Sequence, residues 1–170
     1  SYRNLMSIAL AVENDGAVLK IYARAKTLPD GITCNIIAAK AYKNLGEREE
    51  AKGLLHSYLE VYKNDVNALN NLGALELEDC NFIEAKKLFE SLVKTDANFL
   101  EANLNLAITL DSLNDPEGAV AILQDESMED SGPLAEVTLS KIYYRRGMHE
   151  IALKRLQRLL PEKEQSGEIH

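Results

Sequence analysis

Tryptophan is absent, and only nine glycines and four prolines punctuate 170 residues. Sandwiches and barrels depend on dense turn chemistry, so this scarcity argues against them and for long helices joined by short loops. Long hydrophobic runs are missing too: apolar stretches last a few residues before Asn, Lys or Glu breaks them, which leaves neither a membrane-spanning helix nor a secretory apolar region. Positive charge is in deficit, with 19 basic against 27 acidic residues and a net charge of −8. Such a chain repels phosphate backbones and anionic lipid, so nucleic acid and direct membrane insertion are not expected. What is present is ordinary globular material, 46% apolar and 27% charged, in a chain long enough to bury roughly 70% of its unfolded surface.

One local pattern recurs. Ala17, Ala51, Ala85, Ala119 and Ala152 follow one another at intervals of 34, 34, 34 and 33 residues, each amid two amphipathic segments of helical length. The clearest case is Val66 to Phe99. Leu69, Leu72, Gly73 and Glu76 form one helical stripe, Ala85, Phe89 and Leu92 form another, and Asp79-Cys80-Asn81 supplies a turn between them. The spacing predicts an antiparallel helix pair. Asp115-Pro116-Glu117 reads as an N-cap, a first-turn proline and a first-turn acid, and Gly46 and Gly147 read as ends of first helices.

At these residues the sequence resembles the tetratricopeptide repeat, whose signature of about 34 residues has Leu-Gly in the first helix and Ala-x3-Phe in the second. Leu72-Gly73, Ala85 and Phe89 match in order and spacing. Ala38-Ala39, Leu106-Ala107 and Leu139-Ser140 stand at the Leu-Gly position of other units, always with a small second residue. A small side chain there lets paired helices approach closely. No Trp opens any unit, and Glu76 stands where an aromatic is usual. The resemblance implies an all-α fold, a right-handed solenoid of about five repeats over 1–160. The units run about 1–31 (shortened near Asn14-Asp15-Gly16), 32–65, 66–99, 100–132 and 133–160, with 161–170 as a flexible tail.

Enzymatic signals are lacking. His56, His149 and His170 are scattered, with His56 on a second helix and His149 expected in a turn. No phosphate loop or GxSxG motif occurs, and the acids read as solvated helix exteriors. No cofactor and no metal is expected. Cys34 and Cys80 fall twelve repeat positions apart on roughly parallel helices, about 18 Å, too far for a disulfide. Free thiols lean toward a reducing compartment. Localisation is otherwise open, since the chain starts at Ser1 and leaves room for a removed signal, anchor or domain.

What remains is surface. The resemblance implies that first helices line a concave groove, with Lys40, Asn67, Asn70, Asn71, Asn105, Lys141, Tyr144 and Arg145 as candidate partner-binding residues. A chaperone-tail carboxylate clamp is met only by Asn71 and Lys40. The superhelical mode, in which an Asn of successive units holds an extended peptide, is met by Asn71 and Asn105 at an expected spacing of about 10 Å and interrupted by Ile37 and Thr138. Charge is uneven: 100–132 holds eight acids, including the Asp125–Asp130 turn, and no Lys or Arg, whereas 133–170 is net positive. The expected function is a non-catalytic scaffold binding a peptide or partner helix. The alternative is an oligomerisation or structural module of a larger complex, such as a bacterial pilus or secretion apparatus, with homo-oligomerisation allowed.

Overall fold

The computed structural model describes residues 1–124 and 132–160. The Asp125–Asp130 turn, His170 and the 161–170 tail lie outside them. All regular structure among the described residues is helical: α1 Tyr2–Ala11, α2 Asp15–Ala25, α3 Asn35–Asn44, α4 Arg48–Val61, α5 Val66–Glu78, α6 Phe82–Thr95, α7 Leu100–Ser112, α8 Pro116–Leu123, α9 Gly132–Arg145 and α10 His149–Gln157, with a short 3-10 turn at Gly31–Cys34 before α3. Two compact units form, Ser1–Leu88 and Phe89–His170.

First helices alternate with second helices, and one turn joins each pair. The N–H groups of Asn14, Glu47, Asn81, Asp115 and Met148 each donate to the carbonyl five residues back, at 2.8–2.9 Å. The N–H groups of Glu13, Gly46, Cys80, Asn114 and Gly147 donate three residues back, at 2.9–3.1 Å. This is the Schellman pattern, in which a left-handed residue turns the chain back on the orphan carbonyls of the helix. The left-handed residues of these five turns have φ between 55° and 81°. They put the five first helices in one register. Within it Glu13 lies four residues before Ala17, while Gly46, Cys80, Asn114 and Gly147 lie five before their alanines, so the first turn is one residue shorter.

In the first unit, two cores share α3. Ala38 and Ala41 pack with Met6, Ala9, Val18 and Tyr22 of α1 and α2. Ala39 packs with Ala51, Leu55 and Tyr58 of α4 and with Ala68, Leu72 and Leu75 of α5. A helix flanked on both sides has room for little more than methyl groups, which explains the run Ala38, Ala39, Ala41. Truncating Leu55, fully buried, to alanine would cost about 2–5 kcal/mol. The second unit repeats the scheme: α7 packs on α8 and α9, and α9 on α10. Its buried residues include Leu106, Leu110, Ala119, Leu123, Leu139, Ile142 and Ala152. Cys34 is buried and Cys80 exposed, both as free thiols.

Candidate partner-binding groove

The second unit contains an open groove of about 840 Å3, lined by Ile108 of α7, by Val137, Ser140, Lys141, Tyr144 and Arg145 of α9, and by His149, Ala152, Leu153 and Leu156 of α10. Its walls are held from behind. Arg155 of α10 donates to both carboxylate oxygens of Glu136, at 2.9 and 3.0 Å, and its guanidinium lies 5.4 Å from the Tyr143 ring centre. This charge-assisted contact, made through Nη1 alone, holds α10 against α9. Beneath α9, the Asp111 carboxylate, whose side chain is 3% exposed, is ion-paired with Arg145. Arg146 reaches the same carboxylate at 3.0 Å through Nη2 and 3.2 Å through Nε, and donates to Asn114 at 2.8 Å. Two arginines at the end of α9 meet both an acid of α7 and the negative end of their own helix.

The expectation that acids lie on helix exteriors is therefore corrected at two places. Asp111 is buried, and so is Glu76 in the first unit. Glu76 accepts from Lys52 at 3.1 Å and from Asn81 at 2.7 Å, and Lys52 also meets Asp79 at 2.5 Å. Burial alone would lower the Lys52 pKa, but hydrogen bonds to Asp79 and Glu76 outweigh it and raise it above the ordinary 10.5. His149 is likewise corrected: it opens α10 rather than sitting in a turn, and its ring lies 4.8 Å from that of Tyr144.

Of the candidate residues, Lys141, Tyr144 and Arg145 come together in the groove. Lys40 and Asn67 are exposed on α3 and α5, and Asn71 and Asn105 are half-buried on α5 and α7. Asn71 belongs to the first unit and Asn105 to the second. Asn70 is buried, at a position whose counterpart in α7 is the buried Leu104, so it is not an open contact. Sequence reasoning singled out neither Leu153 nor Leu156 as a site residue and gave His149 only a place in a turn.

Among the described residues no group of three His, Cys, Asp or Glu is placed to hold a metal ion. No helix there is long and apolar enough to cross a membrane. A family model described as tetratricopeptide repeat matches residues 37–65, from within α3 to the residue before α5. Residues 37–65 thus match a tetratricopeptide repeat, and the chain has the fold of such repeats. No curated protein matches its sequence. Solved structures share the tetratricopeptide fold at low identity. A crystal structure of MamA is 16% identical, covering 94% of each chain, with a TM-score of 0.76. A MamA RS-1 double mutant is 19% identical over 98% of this chain and 96% of that one, with a TM-score of 0.78. A tetratricopeptide repeat protein from Parabacteroides merdae ATCC 43184 is 13% identical over 97% of this chain and 66% of that one, with a TM-score of 0.82. The tetratricopeptide alanine of the second helix is buried at Ala51, Ala85, Ala119 and Ala152.

Proposed function

We propose that the chain is a non-catalytic protein-interaction scaffold whose second unit seats an apolar-faced helix of a partner between α9 and α10. A tetratricopeptide fold suits a scaffold, and the reading rests on one contrast. Leu156 is 42% exposed, whereas the residues four beyond the repeat alanine in the three preceding second helices, Leu55, Phe89 and Leu123, are 0%, 0% and 4% exposed. In the first unit the matching space beside Leu55 is filled by Ala68, Leu72 and Leu75 of α5. The groove of the second unit has the same kind of wall and an open face. An incoming helix would offer a small residue and two leucines at α5-like spacing, with acids toward Lys141.

A labelled peptide with the α5 sequence, Val66 to Glu78, is the probe. Its fluorescence anisotropy should rise on titration with the chain, and Leu156→Asp should weaken binding about tenfold or more. The double change Asn71→Ala and Asn105→Ala should leave it unaltered. Equal binding by Leu156→Asp, or none by the unaltered chain, would remove the groove from the function.

A further inference from the structure

α1 bears the counterpart of the open groove. In the register set by the five turns, Leu5 stands where Ala38, Leu72, Leu106 and Leu139 stand in later first helices, and Ile8 where Ala41, Leu75, Thr109 and Ile142 stand. Those eight residues are at most 4% exposed, whereas Leu5 is 55% and Ile8 63% exposed. With Tyr2 and Val12, also exposed, they form one stripe along α1 at spacings of three, three and four. Thus α1 leaves open the positions that first helices bury, and α10 leaves open the position that second helices bury.

We infer that a second copy of this chain covers both surfaces, with the α1 stripe of one copy lying in the α9–α10 groove of the next. Inside the first unit the chain already makes a junction of this kind: Leu72 and Leu75 of a first helix pack against Leu55 and Tyr58 of the preceding second helix. Leu5 and Ile8 occupy the same register positions as Leu72 and Leu75, so α1 brings matching side chains to a matching groove. In sequence, 161–170 has one large apolar residue, Ile169, against the four of the α1 stripe. The contact joins two different patches, so each copy keeps one of each free and association continues beyond a pair unless the rotation closes a ring.

This inference rests on reading the groove as a helix site, but the two can fail separately. Sedimentation or light scattering of the 170-residue chain should show mass rising with concentration, past the dimer. Ile8→Asp and Leu156→Asp each alter an exposed residue, and circular dichroism should confirm that both fold. Each alone should remain monomeric, with association weakened about a hundredfold. Mixed, they should form a 1:1 dimer and stop there, since the Ile8→Asp copy keeps a sound groove and the Leu156→Asp copy a sound stripe. A monomeric unaltered chain, or association surviving either change, would overturn the inference. Should that monomeric chain still bind the α5 peptide, the occupant is a helix from another protein and the groove reading stands.

Discussion

The two units solve one electrostatic problem with opposite signs. In the first, a cation is buried: Lys52 of α4 lies between Glu76 and Asp79 at the end of α5, with Arg48 and Lys43 bridging outward to Asp79 and Glu78. In the second, an anion is buried, with Asp111 near the end of α7 clasped by Arg145, the last residue of α9, and by Arg146 just after it. Both clusters sit at the carboxyl end of a first helix, where the helix dipole disfavours acids, so each acid there requires a cation from a neighbouring helix. The requirement ties neighbouring elements to one another. The buried member differs, and with it the consequence of its loss. Removing Lys52 strands two carboxylates beside each other, whereas removing the Asp111 charge releases two arginines that are 28% and 51% exposed and can turn to water.

Three experiments probe that contrast, beginning with the largest effect. Ala51→Asp and Ala119→Asp place a charge at the same buried position, one in each unit, and each should cost about 3–5 kcal/mol by chemical denaturation. A near-unchanged midpoint for either would show that the units do not share the packing described. Next, Lys52→Met should cost about 3 kcal/mol and Asp111→Asn about 2 kcal/mol. Equal losses would mean that solvent access of the partners does not set the difference. The smallest effect is on pH. Lys52 is raised above its ordinary 10.5, and the Tyr22 and Tyr58 phenols, chiefly through burial, are raised above 10.0. A raised pKa gives stability that is fully present below the unfolded value and lost as pH climbs through the folded one. Thermal midpoints should therefore hold steady up to about pH 10 and fall beyond it, less steeply in Lys52→Met than in the unaltered chain.

The repeat was legible because its markers are local. Ala51, Ala85, Ala119 and Ala152 lie within a few residues of the apolar stripes they serve, and Gly46 and Gly147 announce the turns that they form. Glu76 and Asp111 were not legible as buried groups. A lone carboxylate reads as surface, and what buries these two are cations 24, 34 and 35 residues away, brought near only by folding. The candidate groove was legible in part. Lys141, Tyr144 and Arg145 follow from the position of a first helix, but Leu156 has the same local pattern as Leu55, and only the folded chain distinguishes the exposed one from the buried one.

The five turns also bear on how quickly the chain folds. Each closes a hairpin from hydrogen bonds spanning five residues or fewer, so structure can begin in any one of them and spread to its neighbours. They are not equally easy to start. A left-handed residue other than glycine costs roughly 1–2 kcal/mol, and that cost falls on Glu13, Cys80 and Asn114 but not on Gly46 or Gly147. The α3–α4 and α9–α10 hairpins are therefore the cheapest nuclei, one in each unit. Folding is expected to run outward from two places at once, with the α1–α2 hairpin, turned by Glu13, among the late arrivals.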